Sequence, residues 1–301
     1  MSAKLTIAPI LFHWPEDQKL DFYARIADEA AVDTVYLGEV ICSKRTPFFE
    51  NHYDEVATRL KKAGKTVVFS TLSEVMIKRD RKIVEGFCEL VDSGEEIEVN
   101  DASALWHISG KPHRLGSLMN VYNEETLKYL VSKGATHISL PAELPRQSIK
   151  HMCKEAANLN VPVEVQIFGR MSLALSARCY HARAHGRIKD NCQFVCEEDP
   201  DGMDLKTLTG NPFLSINGIQ TLSNNYLNLA GEVHDMVDMG VTHLRISPHT
   251  NDMVETMRAF DALIKKEIDA EEAIARIKQS GIVAPFANGF YHGQAGHKWT
   301  S

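Results

Sequence analysis

Seven apolar runs follow one another along this chain, most of them trailed by a helix-periodic stretch, at intervals of about 25 to 35 residues. The runs lie at 4–11, VDTVYLGEV (32–40), KTVVFSTLS (65–73), IEVND (97–101), LGSLMNVYN (115–123), THISLPAELP (136–145) and VPVEVQIFGR (161–170). Near-continuous apolar runs of this length mark strands buried on both faces, as in a parallel sheet covered by helices. Helical stretches are expected at 16–31, 51–64, 74–91, 124–133 and 146–160, with Gly64 and Gly134 placed to stop two of them. No GxGxxG or GxxxxGK[ST] follows the first run, so neither a dinucleotide site nor a P-loop is expected. A (β/α)8 barrel needs about 250 residues, and the chain has 301. The expectation is a TIM-like (β/α)8 α/β barrel, one domain over residues 1–301.

The alternation breaks once. Residues 171–212 lack core periodicity and carry three cysteines, two nearby histidines and the acidic run EEDPDGMD. They read as a cysteine-bearing insertion late in the barrel, an excursion from one mouth. FLSINGIQTL (213–222) then resumes the pattern, with a helix expected at 225–239 and a last strand in THLRISP (242–248). Helical stretches at 252–268 and 270–279 follow, and the tail FANGFYHGQAGHKW should fold back over the body.

The chain has six cysteines, and three of them, Cys179, Cys192 and Cys196, fall inside this excursion. Clustered thiolates are soft ligands that select iron–sulfur clusters, zinc or cuprous copper. The three-residue gap between Cys192 and Cys196 lets both sulfurs face one centre. Cys42, just after the second strand, is the best source of a fourth ligand. In a barrel of this kind the loops after strands two and seven open on the same C-terminal face, which brings all four cysteines toward one rim. A four-cysteine metal site follows, with iron–sulfur ahead of a closed all-thiolate zinc site. Cys88 and Cys153 sit among helix-periodic residues and read as small core hydrophobes. A disulfide framework does not suit a chain of this size with no sign of export.

Charge narrows the partners. Lys+Arg 33 against Asp+Glu 40 gives a net charge of −7, which argues against nucleic acid. No apolar run reaches the length of a membrane span. The start MSAKLTIAPILFHWPEDQ has no signal-peptide pattern, so a cytoplasmic location is expected, where thiols stay reduced.

GEVICSKR, the segment RCYHARAHGR with NCQFVC, and the tail motif NGFYHGQAG resemble the collagenase-like peptidase superfamily over essentially the whole chain. The resemblance is strongest to its UbiV branch, the oxygen-independent ubiquinone biosynthesis proteins. It implies a [4Fe–4S] cluster held by Cys42, Cys179, Cys192 and Cys196. It also implies a heterodimer with a related UbiU-like cluster protein, hydroxylating a ubiquinone precursor ring without O2. A UbiT-like lipid-binding protein would assist, with prephenate as the suggested oxygen source.

A hydrolase is the reading from another class, and a metal-stapled structural subunit a third. The chain has no GxSxG elbow and no HExxH. His107, His113 and His137 are scattered and read as structural or surface groups. Glu39, Arg45 and Arg170 lie near strand ends, where they would either meet an anionic substrate or form a salt-bridge lattice. Arg178, Arg183, His181 and His185 would either place positive charge near a cluster or pair with Glu197, Glu198 and Asp199 at the surface. No catalytic residue is assigned.

Overall fold

A computed structural model describes residues 3–282 and 285–300. Chain order runs β1 (Lys4–Ile7), α1 (Glu16–Glu29), β2 (Thr34–Leu37), α2 (Tyr53–Lys62), β3 (Thr66–Ser70) and α3 (Lys78–Glu89). It continues with β4 (Glu96–Val99), α4 (Ala102–Ile108), β5 (His113–Leu115), α5 (Glu124–Ser132), β6 (Ala135–Leu140), α6 (Arg146–Asn158) and β7 (Val163–Leu175). After these come α7 (Tyr180–Ala184), β8 (Met203–Lys206), β9 (Pro212–Asn217), β10 (Gln220–Asn228) and α8 (Val233–Asp238). The chain ends through β11 (His243–Ile246), α9 (Met253–Ile264), α10 (Ala270–Gln279) and β12 (Phe286–Ala287).

Strands β1 to β7 pair in sequence order, all parallel, and β11 pairs with both β7 and β1. That closes an eight-stranded parallel barrel wrapped by helices, the TIM-like fold expected from the strand–helix period. Outside it, apolar faces such as Val56, Ala57 and Leu60 of α2 and Ile149, Met152, Cys153 and Ala156 of α6 are buried. Cys88 and Cys153 are both 3% exposed members of this core.

The barrel interior is unusual. Each of the eight strands contributes a polar side chain to one linked layer. Arg245 Nη1 donates to Glu98 at 2.5 Å and to Glu164 at 2.9 Å. Thr6 Oγ1 donates to Glu164 at 2.6 Å, and the Tyr36 hydroxyl to the same carboxylate at 3.2 Å. Ser70 donates to Glu98 at 2.7 Å, Arg114 reaches the Tyr36 oxygen at 3.2 Å, and His137 Nε2 stands 3.8 Å from Glu164. Paired in this way, the charges satisfy one another where apolar layers usually fill such a barrel.

Three expectations need correction. The fifth strand is His113–Leu115, not LGSLMNVYN. The ladder partners are Glu98↔Arg114 and Val99↔Leu115, and the chain turns at once into a 3-10 turn over Ser117–Met119. The apolar spacing beyond Leu115 serves packing outside the ladder. The helix α4, which starts where the Asp101 side chain accepts the Ser103 N–H at 2.7 Å, lies in a segment for which the sequence predicts no helix. FLSINGIQTL is no barrel strand but most of an antiparallel hairpin, β9–β10, and β10 runs on to Asn228 inside the expected helix.

That hairpin is possible because β7 outruns the barrel. Its lower half, from Val163, pairs with β6 and β11; its upper half, to Leu175, pairs antiparallel with β10. The order β7–β10–β9–β8 builds a small sheet rising from the rim, and β12 of the tail adds to β10 in parallel. The stretch 171–212 therefore holds the end of β7, α7 and β8.

Candidate metal centre

The chain leaves β2 through Gly38, at φ 146°, where an added Cβ would sit 2.2 Å from the Ser70 carbonyl oxygen. Only glycine allows β2 and β3 to lie this close at their ends. Glu39 then turns the chain. Its carboxylate accepts the N–H groups of Ile41 at 3.0 Å and Cys42 at 2.9 Å, which sets Cys42 at the start of a 3-10 turn over Ser43–Phe48.

The other three cysteines come from the segment after β7. Cys179 caps α7: its Sγ accepts from Ala182 N–H at 3.4 Å and donates to the Gly218 carbonyl at 3.2 Å. Cys192 follows a 3-10 turn over Lys189–Asn191, held by Arg187 Nη1 on its carbonyl at 3.1 Å. Between Cys192 and Cys196 the chain passes Gln193 and Phe194, both left-handed at φ 50° and 52°. Two such non-glycine residues in a row carry a backbone cost that the surroundings must hold in place. Phe194 is held between Phe48 and His13, with ring centroids 4.6 and 5.7 Å away. Lys44 Nζ ties the same loop to the first one through the carbonyls of Lys189 at 2.7 Å and Asp190 at 3.1 Å.

Cys42, Cys179, Cys192 and Cys196 line one cavity, together with Arg45, Lys189, Phe194 and Gly218. Burial raises the pKa of the Cys42, Cys179 and Cys196 thiols, and Arg45 pulls each of them back. Among the described residues no three cysteine sulfurs lie within 4.8 Å of one another.

Arg45 is the residue whose environment spacing alone does not reveal. It is 1% exposed, and its guanidinium donates to the Leu11 carbonyl at 3.3 Å and to Asn217 Oδ1 at 2.6 Å. Its Nε meets no acceptor, and no carboxylate among the described residues forms an ion pair with it. Burial works against its charge, and Cys196, Glu39 and Cys42 favour it. A buried cation without a bonded anion is costly, so the arrangement calls for negative charge on the sulfurs. Asn217 links the parts: its Nδ2 donates to the carbonyls of Cys196 at 3.2 Å and Asp199 at 3.0 Å while its Oδ1 receives Arg45. Gly218, at φ 62°, leaves room where a Cβ would sit 2.6 Å from Arg45 Nη2. Asn217 and Gly218 were missed from the sequence, where only the run SING marks them.

The remaining candidates are dispersed. Arg170 is buried on Tyr226, 4.9 Å from the ring centroid, and donates to the Ser223 carbonyl at 2.9 Å and to the Asn224 carbonyl. His107 is exposed, His113 is buried on the Lys111 carbonyl at 2.8 Å, and His137 belongs to the barrel layer. Arg178 and Arg183 are exposed, whereas His181 is fully buried, 3.0 Å from Asp199 Oδ2. Burial lowers the His13 pKa to about 3, assisted by Arg45 and Lys19, so a neutral ring faces this cluster of cations. Among the described residues no helix is long and apolar enough to cross a membrane.

Solved structures resemble the chain only distantly. An aldo-keto reductase, AKR11C1, from Bacillus halodurans is 9% identical, with 94% of each chain covered and a TM-score of 0.43. A type I 3-dehydroquinate dehydratase from Clostridium difficile is 12% identical over 89% of this chain and 94% of that one, TM-score 0.38. Orotidine 5'-monophosphate decarboxylase from Methanocaldococcus jannaschii is 14% identical over 55% of this chain and 81% of that one, TM-score 0.35. A family match reaches much further along the sequence: the model of peptidase family U32 matches residues 23–301, and the chain belongs to that family.

Proposed function

We propose that this member of peptidase family U32 is an iron–sulfur subunit of the UbiV kind, acting in an oxygen-independent hydroxylation within ubiquinone biosynthesis. Cys42, Cys179, Cys192 and Cys196 would hold a [4Fe–4S] cluster. The observation that carries the reading is a cavity lined by four thiols against a fully buried Arg45 that has no carboxylate ion pair. Four thiolates with a cluster are a net anion, which is the partner such a guanidinium needs.

When bound, the cluster supplies one-electron transfer. The chain's own residues define its setting. Arg45 places positive charge beside the sulfurs, and Asn217 fixes the loop carbonyls. Phe194 and Val195, with Ala182, give the cavity an apolar lining that keeps water out. Charge and burial of this kind tune a reduction potential. In the same proposal a UbiU-like subunit completes a heterodimer in the cytoplasm, a UbiT-like protein presents the lipid ring, and prephenate is the oxygen source.

The test is iron, sulfide and zinc content with the visible spectrum of anaerobically purified protein. About four irons and four sulfides per chain, lost in Cys192→Ala, are expected, together with loss of anaerobic but not aerobic quinone synthesis. Stoichiometric zinc without iron would make the site a structural staple. Gelatin or peptide cleavage by metal-free protein would return the chain to the hydrolases.

A further inference from the structure

Beside the thiol cavity, α7 carries a second group of ligating side chains. His181 and His185 are four residues apart, and their rings stack with centroids 5.3 Å apart and planes 9° from parallel. His181 Nδ1 lies 3.2 Å from the Ile216 carbonyl oxygen, and His185 Nδ1 lies 3.0 Å from the His181 carbonyl oxygen. A carbonyl oxygen can only accept, so Nδ1 of each ring carries a proton. That leaves Nε2 of each ring as the nitrogen able to bind a metal ion. Asp199 completes the group, and one ligand atom from each of the three residues lies within 4.8 Å of the others.

Two features separate this from an ordinary histidine–carboxylate contact. His181 is 0% exposed, and its Nε2 has no hydrogen-bond partner even though Asp199 Oδ2 stands 3.0 Å away. Asp199 Oδ2 lies off the in-plane direction of this nitrogen, so the contact is no hydrogen bond, and a cation held by both atoms would satisfy them. A proton would serve the His181–Asp199 pair alone. The third ligand, on the exposed His185, points to an ion. Metal–ligand bonds of about 2.0–2.1 Å give ligand–ligand edges of about 3.3 Å, close to the separation seen. Metal-bound histidines typically donate their other ring N–H to a backbone carbonyl or carboxylate, and both rings here do so. Asn217 Nδ2, bonded to the Asp199 carbonyl at 3.0 Å, fixes the third ligand's backbone.

We propose that His181, His185 and Asp199 form a second metal site, distinct from the four cysteines, for a divalent first-row ion such as Zn2+ or Fe2+. Two imidazoles and one carboxylate leave a coordination position free, and the exposed His185 opens it to water or an anionic ligand. The assignment does not rest on the cluster reading, since none of its ligands is a thiol.

Equilibrium dialysis of the full-length protein against Zn2+, followed by metal analysis, tests it with three chains: wild type, His185→Ala and Cys192→Ala. His185 is exposed, so its replacement should leave the fold intact, which circular dichroism checks. The proposal expects at least about 10-fold weaker Zn2+ binding in His185→Ala with iron and sulfide content unchanged. It expects Cys192→Ala to keep this Zn2+ while losing iron. Co2+ bound to Cys192→Ala should show d–d bands that His185→Ala/Cys192→Ala lacks. Equal Zn2+ affinity in wild type and folded His185→Ala would overturn the site. So would binding that disappears with Cys192 and survives without His185, because the metal would then sit on the thiols.

Discussion

Arg45, Asn217 and the cysteines show what one residue can decide here. A guanidinium sealed from water is tolerable only if every neighbour is arranged for it, and Asn217 supplies its shortest hydrogen bond, 2.6 Å, while pinning two carbonyls of the cysteine loop. Asn217→Ala removes one acceptor from a buried charge and two donors from buried carbonyls. Hydrogen bonds to charged groups contribute about 1.5–3 kcal/mol, so the variant should lose about 2–3 kcal/mol in urea unfolding followed by fluorescence. A loss under about 0.5 kcal/mol would mean that Arg45 finds another acceptor. The cysteines were legible as candidates because thiols are rare and their spacing is visible. Arg45 was visible only as a charge near a strand end. Asn217 was marked only by the run SING, since its role consists of hydrogen bonds to the distant Arg45 and to backbone carbonyls some 18 and 21 residues away, and these leave no spacing in a sequence.

At the scale of elements, strand–helix alternation identified the barrel because parallel strands buried on both faces must be apolar throughout. It failed where a ladder is only three residues long, as at β5, and where a strand leaves the barrel. FLSINGIQTL is as apolar as a barrel strand, yet its two halves pair antiparallel with each other across Gly218 and Ile219, and only the second half reaches β7; the Asn-Gly step inside it is a hairpin signal that apolar period alone does not register. The rising sheet should therefore be graded in stability. β10 is flanked by β7, β9 and β12, whereas among the described residues β8 pairs only with β9 and is mostly exposed. Hydrogen exchange read by mass spectrometry should show amide protection falling from β10 through β9 to β8, since local opening follows buried contacts and paired backbone. Equal protection across the three would mean that the sheet opens as one unit, or that a partner covers β8.

Across the whole molecule, the polar layer of the barrel joins all eight strands, and it was hidden inside runs that read as apolar. Glu98, Glu164 and Arg245 each stand between Val, Ile or Leu neighbours, so single charges looked incidental until closure brought them together. Glu164 is 0% exposed; burial works to raise its pKa, but Arg245, with His137 and Thr6, outweighs this and holds it well below the usual carboxylate range. A carboxylate depressed on folding contributes stability that is fully present above its unfolded pKa, about 4.3, and is lost as pH falls below that toward the folded value. Breaking a buried pair from one side costs about 3–5 kcal/mol, so Glu164→Gln, which keeps some hydrogen bonding, should lose about 3 kcal/mol at pH 7 in urea unfolding. The gap to wild type should then narrow steadily below about pH 4.3, because the wild type gives up the contribution the variant never had. Arg245 still faces Glu98 in the variant, so closure itself should survive and the change should register as stability alone. A gap that stays constant down to pH 3 would show that Glu164 acts through shape and hydrogen bonding, with its charge immaterial to holding the barrel shut.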